Sequence, residues 1–525
     1  MSIRDSMEPP HRTHLRAPSI VLVLASFAFR LPPLLNARST NSDAAVVGLQ
    51  AMHVLRGEIE PFLWGSGYQT AGDSFVATAW FAMMGPSPLA LMLSALSLHV
   101  LATWLVFATL RRHVAPWTAL FLTMPLIVTP SSVHTYALYP PRQASLTLAI
   151  AALWAIDAAA VAKTERRARL WLAAGGLCAT LAVSADPYPL LLLPIASIFA
   201  LLVAWDARTR GHAERAGAFA LGAFVGILPF FLLRSLAGAN RGPLTFTTSM
   251  LDHHFRLLWN ECLPWALSYK VYYAHHVMDY LPWNAPLAFR VVGVLGAILL
   301  GALVLFGLVA IVLPYPGRPR TIPLPIRRLG FAGALTFPVA IGGFLVSVMV
   351  VDHFSMRYLA VLTLMIPFAV APAASALGTR RFAVAFAPHL IASAIAGWVG
   401  YGPFVRGPLP VVETPELRDD YALFDLLAAH GITYAEADYW ASYRLTFLSR
   451  EHVIVVPTSA VDDRYAPYRR AFEQAPEFAY LFDPGRSREN LGAAERALAA
   501  CNSRVEPHRV GNLTVFLVNR SAPAQ

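Results

Sequence analysis

The 525-residue chain is 56% hydrophobic, only 14% charged, and carries a formal net charge of +10 at pH 7. A soluble domain of ordinary size has no use for so much apolar surface, whereas a bundle of membrane-spanning helices requires it. The positive excess sits in short loops between apolar segments, so it reads as membrane topology and not as a nucleic-acid footprint.

A hydrocarbon core about 30 Å thick takes roughly 20 helical residues. Stretches of that length predict spans near 17–35, 88–110, 114–130, 142–162, 170–185, 187–205, 216–234, 286–313, 329–350, 357–377 and 382–400, roughly eleven in all. The amino-terminal arm 1–16 carries Arg4, Arg12 and Arg16, which resist translocation and place it inside. Alternate connections are then expected to be basic. They are: Arg111-Arg112, then Lys163 with Arg166, Arg167 and Arg169, then Arg208, Arg210 and Arg215, then Arg318, Arg320, Arg327 and Arg328, and last Arg380-Arg381. The turns 131–141, 185–187 and 351–356 hold no Lys or Arg. An inside amino terminus and an outside carboxyl terminus follow. The first apolar segment runs into Arg30 and Pro32-Pro33 with no small-residue cleavage site, so it is expected to stay as an anchor and not to be a signal peptide.

Three segments break the rhythm: an outer loop at 36–87, a second at 235–285, and a tail from 401. Loops of that length are usually functional or disordered, and their aromatic content argues for order. In the first, Ala44 to Leu55 predicts a helix along the membrane surface, capped by Ser42 or Asp43. Ser74 to Met84 predicts a second short helix ended by Gly85-Pro86. In the tail, Pro415–His430, Tyr439–Ser449, Tyr465–Gln474 and Arg486–Cys501 read as helices. Ile432–Ala437, His452–Pro457, Phe478–Phe482 and Leu513–Val518 read as strands. The expected fold is therefore mainly α: a polytopic helical bundle over 17–400 with a small α/β extracytoplasmic domain over 401–525. Cys262 and Cys501 both fall outside, where a disulfide or two free thiols are open readings, while Cys178 lies in a span.

Asp43 stands just past the first span. A carboxylate at a low-dielectric boundary has a raised proton affinity and suits a general base that takes the proton of an acceptor hydroxyl. It can equally cap the helix beginning at Ala44. Arg357 opens a late span, where an arginine costs roughly 2.5–3.5 kcal/mol on insertion scales and needs a partner. A lipid-borne phosphate fits, since guanidinium binds it through two parallel hydrogen bonds, and Asp352 or the headgroups are the other choices. In the loop 235–285, Lys270 and Arg256 are further candidates to hold that phosphate. The pairs His253-His254 and His275-His276 would bind zinc only if three or four ligands converged. Trp259, Trp265, Tyr269, Tyr272, Tyr273 and Trp283 read as an interfacial aromatic belt or a sugar platform.

The stretch Ser42-Asp43-Ala44-Ala45-Val46-Val47-Gly48-Leu49, with Arg56-Gly57-Glu58 and Trp64-Gly65-Ser66-Gly67-Tyr68, resembles the first outer loop of bacterial GT-C glycosyltransferases such as the protein O-mannosyltransferases and aminoarabinose transferases. The layout is similar through spans two to ten. His353-Phe354-Ser355-Met356-Arg357-Tyr358-Leu359 is similar to an Arg-Tyr that opens a late span in many members, and Ala437 to Phe447 to tails of a bacterial branch. The resemblance implies a sugar on polyprenyl phosphate as donor, an acceptor lipid, protein or polysaccharide, and Asp43 as the catalytic acidic residue. It implies donor-phosphate binding by Arg357 with Lys270, Arg256 or His353, and a substrate site lined by His53, Trp64, Tyr68 and Tyr358. Many relatives have a second acid beside the first or in the second outer loop. Here Ala44 follows Asp43 and 131–141 holds no carboxylate, so no metal and no other cofactor is called for, with Asp73 and Asp186 the available substitutes. The expectation is an inverting transferase of a bacterial plasma membrane. A transporter or flippase would place charges in many spans, and here Arg30 and Asp157 are the exceptions. A sensor or assembly protein acting through its tail is a third reading.

Overall fold

In the computed structural model, residues 16–130, 137–205, 211–237, 245–274, 280–282, 284–312, 322–400, 415–484, 491–492, 495 and 504–520 are described. In chain order the helices are α1 (Arg16–Phe29), α2 (Leu31–Leu35), α3 (Ser42–Leu55), α4 (Gly72–Met84), α5 (Pro88–Leu110), α6 (Pro116–Ile127), α7 (Gln143–Ala160), α8 (Glu165–Ala185), α9 (Leu193–Trp205) and α10 (His212–Leu232). There follow α11 (Met250–Leu257), α12 (Leu263–Ala266), α13 (Leu287–Val312), α14 (Leu324–Val346), α15 (Ala360–Leu377) and α16 (Thr379–Gly400), then α17 (Pro415–Ala429), α18 (Tyr439–Leu448) and α19 (Ala466–Gln474). Among the described residues, 9 helical segments are long and apolar enough to cross a membrane, and Ala17–Phe29 and Pro116–Ile127 are shorter apolar helices. The protein is a multi-pass integral membrane protein: nine of the eleven expected spans are helices of membrane length, while 17–35 and 114–130 hold the shorter apolar helices Ala17–Phe29 and Pro116–Ile127.

Sidedness in packing follows composition. The apolar run of α15 is buried on every face, from Ala360 through Ala374, as a helix hydrophobic all round must be when it lies at the centre of a bundle. By contrast α10 leaves Leu221, Phe224 and Phe231 exposed, the arrangement expected of a helix whose solvent is lipid. The two charges named above within spans, Arg30 and Asp157, have local partners. Arg30 is fully buried at the end of α1 and donates to the carbonyls of Ser26 (2.9 Å), Leu126 and Ile127 (3.2 Å each), closing the C-terminal end of α6. Asp157 accepts from Arg112 at 2.8 Å and meets His113 at 2.7 Å.

The tail forms a five-stranded mixed sheet in the order β4 (Ile454–Pro457), β3 (Tyr434–Ala437), β5 (Glu477–Phe482), β7 (Leu513–Asn519), β6 (Arg504–Val510). β3 runs parallel to both β4 and β5, while β5, β7 and β6 are antiparallel neighbours. A short hairpin, β1 (Tyr272–Ala274) with β2 (Tyr280–Pro282), lies in the second long loop. Seven of the eight elements expected in the tail are present within a residue or two of their predicted ends. Among them Leu513–Val518 is β7, and the eighth, the expected helix Arg486–Cys501, lies mostly outside the described residues. β6 was not foreseen. The tail is not a detached module. Phe447, Tyr443, Tyr468, Phe472, Phe478 and Phe516 share one hydrophobic core with Ala44, Val47, Trp64, Phe81 and Leu96.

Candidate active site where the first long loop meets the tail domain

The cap of α3 is Asn41, whose side chain accepts from Ala44 N at 2.9 Å. Neither Ser42 nor Asp43 has that role, which corrects the expectation for the helix start. Ser42 is buried and ties α3 to α18 instead: its Oγ donates to the Trp440 carbonyl (2.9 Å) and accepts from Arg444 N (3.2 Å). Asp43, relieved of capping, sits in the first turn with its carboxylate directed at the tail domain.

Tyr439 Oη donates to Asp43 Oδ1 at 2.5 Å. Arg464 places Nη2 3.9 Å from the same oxygen, donates from Nε to Tyr439 Oη (3.2 Å), and stacks its guanidinium over the Tyr439 ring at 5.2 Å. A third tie runs from Arg464 Nη1 to the Gly65 carbonyl at 3.3 Å. Gly65 has φ +64 and a Cβ there would lie 2.7 Å from Arg464 Cα, so the glycine serves both the turn and the close approach. A similar approach occurs at Gly48, where a Cβ would come within 2.7 Å of the Phe447 ring. The Trp64-Gly65 turn and α3 thus form a seat for α18 and Arg464.

From the bundle side come Arg357 and Arg142. Their charges, with Arg464, act on Asp43. Burial alone would raise its proton affinity, yet Arg464, the hydrogen bond from Tyr439, Arg357 and Arg142 together hold the Asp43 carboxyl below the ordinary carboxylate range. The expected upward shift is therefore reversed, because opposite charges outweigh desolvation. Tyr439 moves the other way: burial and the neighbouring Asp43 push its phenol well above its usual value, so it remains a donor.

Arg142 is held by an unusual local structure. Its φ of +104° is a region few side chains adopt, and such strain persists only where surroundings enforce it. Here Asp73, from α4, enforces it. Asp73 Oδ2 accepts from Arg142 N (3.1 Å) and Oδ1 from Gln143 N (3.0 Å) and Ala144 N (3.2 Å), capping α7 from another helix. Burial, chiefly, with the charge of Asp186 adding to it and these three N–H donors opposing it, pushes the Asp73 carboxyl up to about 6. The Arg142 side chain donates from Nε to Asp186 Oδ2 (3.0 Å) and lies 5.7 Å from the Tyr358 ring centroid. Asp186 also accepts from Gln69 Nε2 (2.8 Å) and Tyr188 N (2.7 Å). Asp73 and Asp186 therefore support Arg142 and α7, and neither is bonded to Asp43. Arg357 stacks over the same Tyr358 ring at 5.2 Å and donates to its hydroxyl at 3.4 Å. Asp352 caps the short 3₁₀ helix His353–Leu359 through Phe354 N at 3.0 Å.

The other residues expected at the site are placed as follows. His53 is bracketed by two carboxylates, Glu58 at 2.6 Å and Glu451 at 2.8 Å. Trp64 is buried and stacks on Tyr465 with centroids 3.9 Å apart. Tyr68 is exposed. Arg256 pairs with Asp252 one helical turn away, Lys270 donates to the Asn260 carbonyl, and His353 Nδ1 lies 3.9 Å from Glu261. These three side chains are thus engaged within the second long loop and its immediate neighbour. His254 Nδ1 meets the Leu345 carbonyl at 2.8 Å and His253 the Val351 carbonyl at 3.0 Å, while His275, His276, Asp279 and the side chains of Tyr272, Tyr273 and Trp283 lie outside the described residues. Cys262 is a free, buried thiol donating to the His353 carbonyl at 3.6 Å, and Cys501 lies outside the described residues.

Three site residues escaped the sequence reading: Arg142, Tyr439 and Arg464. Arg142 had a signal, since a basic residue directly ahead of a span on the Lys- and Arg-poor side breaks the charge rule. Arg464 had none.

No family model and no curated protein matches the sequence. Solved structures do. The arabinofuranosyltransferase AftD from Mycobacteria aligns with a TM-score of 0.51 at 14% identity, over 98% of this chain and 40% of that one. An Archaeoglobus fulgidus oligosaccharyltransferase tethered to an acceptor peptide containing the NVT sequon aligns with a TM-score of 0.50 at 10% identity, over 90% of this chain and 69% of that one. ArnT from Cupriavidus metallidurans in the apo state aligns at 0.48 and 12% identity, over 96% of this chain and 98% of that one. The fold is GT-C-like. This chain spans two fifths of AftD, and its bundle and tail domain both lie within the aligned part, which covers 98% of it.

Proposed function

We propose that this protein is a membrane glycosyltransferase that moves a sugar from a polyprenyl-phosphate donor to an acceptor hydroxyl, with inversion at the anomeric carbon. The supporting observation is Asp43, a carboxylate set in the field of Arg464, Arg357 and Arg142 where α3 meets both the bundle and the tail domain. Two proteins of similar fold bear names of this chemistry, an arabinofuranosyltransferase and an oligosaccharyltransferase.

In this reading the donor phosphate enters laterally from the bilayer and is held by Arg357 and Arg142, which flank Tyr358. Arg142 takes the place that Lys270 and Arg256 hold in the sequence expectation. The acceptor oxygen attacks the anomeric carbon as the bond from that carbon to the phosphate oxygen breaks. The hydroxyl proton passes to Asp43, and the electron pair leaves on the phosphate. Stabilising that departing charge is expected to lower the barrier more than any other single interaction. An ionised Asp43 is present across neutral pH but is a weak base while three cations face it. A bound phosphate offsets those cations and adds a negative charge, which raises the proton affinity of Asp43 as the reaction needs it. The alternation of basic loops supports a bacterial plasma-membrane location with the amino terminus in the cytoplasm and site and tail outside. Arg30 and Asp157 favour no path through the midplane, since each holds a helix end or loop.

The test is transfer by the purified protein from radiolabelled polyprenyl-phosphate sugars, with and without chelator. Asp43→Asn is expected to lower turnover on the order of 10²–10⁴-fold while expression and melting temperature are retained. Near-normal transfer by that variant would remove Asp43 from the mechanism.

A further inference from the structure

On the far side of the tail domain, His430, Glu506 and His508 bring their ligand atoms within 4.8 Å of one another. They come from two elements distant in sequence, and the packing explains why they meet. In β6 the two-residue period puts Glu506, His508 and Val510 on one face. Val510 is buried in the core that holds Leu423 and Leu427 of α17. That apolar contact lays the C-terminal end of α17 along β6, and His430, the residue following the helix, arrives beside His508 with ring centroids 5.1 Å apart. Gly431, at φ +68, turns the chain away immediately afterwards.

The donor chemistry is also set. His430 Nδ1 lies 2.9 Å from the Leu426 carbonyl, and a bond there fixes the proton on Nδ1 and leaves the Nε2 lone pair free, the outer-shell arrangement usual for a metal-bound histidine. Glu506 Oε1 lies 3.2 Å from His508 Nε2, and that nitrogen is buried without a hydrogen bond of good geometry. We propose that His430, Glu506 and His508 form a zinc site on the tail domain, with two imidazoles and one carboxylate as ligands and one coordination position left to water. Two nitrogens and one oxygen suit Zn²⁺ better than Mg²⁺ or Ca²⁺, which take oxygen sets. The ion would join the end of α17 to the edge strand of the sheet, independently of the chemistry at Asp43.

The experiment uses the full-length chain in detergent, titrated with zinc chloride by calorimetry after removal of metal. One zinc per chain is expected. His430→Ala and His508→Ala should each weaken binding by at least about tenfold, and His452→Ala, an exposed histidine of the same domain, should leave it unchanged. X-ray absorption of the zinc-loaded wild type should show two imidazole nitrogens, and the melting temperature should rise with zinc in the wild type and not in either ligand variant. No zinc uptake by the wild type, uptake undiminished in both ligand variants, or an absorption spectrum without imidazole scattering would each overturn the assignment, whether or not the variants fold.

Discussion

Glu451 holds the first long loop to the tail domain, and its replacement by glutamine is the sharpest test of how that junction is made. The residue lies in the left-handed region at φ +65. Its carboxylate meets His53 Nε2 at 2.8 Å and Arg56 Nη2 at 2.6 Å and accepts from the Tyr468 hydroxyl. Burial opposes the charge, but the hydrogen bonds from His53 and Tyr468 and the charges of His53 and Arg56 outweigh it and lower the carboxyl from 4.5 to about 2. Each tenfold change in proton affinity is worth about 1.4 kcal/mol, so the ionised group contributes on the order of 3 kcal/mol at neutral pH. A depressed folded-state value means that this contribution is complete above about pH 4.5 and is lost as the pH falls toward 2. Glu451→Gln should therefore lower stability by on the order of 2–3 kcal/mol at pH 7 and by about half as much near pH 3. The assay is thermal unfolding of the detergent-purified protein at the two pH values, with protease nicking in the tail followed in parallel. A deficit of the same size at pH 7 and pH 3, or none at either, would refute the reasoning, because only loss of the charge makes the deficit shrink with acid.

Arg357→Ala should lower kcat/KM for the polyprenyl-phosphate donor by about 2–4 kcal/mol in activation free energy, and Arg357→Lys should restore only part of it, since a point charge cannot make the paired hydrogen bonds; initial rates against donor concentration decide this. Arg142→Ala should act in the same direction and also lower the melting temperature, because Asp186 would keep its buried charge without its ion pair. Gly48→Leu should drive the side chain into the Phe447 ring and cost about 1–3 kcal/mol, read as a lower melting temperature together with faster proteolysis of the tail.

What the sequence makes legible is what depends on local pattern. Spans follow from length and apolarity, and the elements of the first long loop and the tail from period and from turn residues such as Gly85 and Gly431. β6 is hidden because Arg504-Val-Glu-Pro-His-Arg-Val510 carries a proline and four charged or histidine residues, a poor strand by composition. It is tolerated because β6 is an edge strand, where Pro507, opposite Phe516, leaves no central ladder broken. The carboxylate is legible as well, by its place after the first span. Its surroundings are not. Arg464 of the tail domain lies 3.9 Å from Asp43, Arg142 and Arg357 of the bundle add their charges, and no spacing in one sequence encodes that convergence. The cap of α3 turned on one residue: Asn41 satisfies the free N–H, and a carboxylate two positions later then has no structural duty to the helix.

That freedom has a consequence for how the site is controlled. Two of the groups that set the ionisation of Asp43, Tyr439 and Arg464, belong to the tail domain, and so does part of the burial that opposes them. The remaining two, Arg357 and Arg142, belong to the bundle. Asp43 therefore experiences its full field only while α18 rests on α3. The contacts that keep it there are the Ser42 and Arg444 hydrogen bonds, the Phe447 ring over Gly48, and the Glu451 cluster on His53 and Arg56. None of these touches Asp43, yet each adds to the free energy that holds Tyr439 and Arg464 against it. A tail that loosened would withdraw one cation and one hydrogen-bond donor together, leaving Asp43 in water beside two bundle arginines. The same carboxylate would then keep only the two bundle arginines of its present field. In the proposed reaction, the basicity of Asp43 is thus set by the closed junction, through residues that bracket the chain from Asp43 to Tyr468.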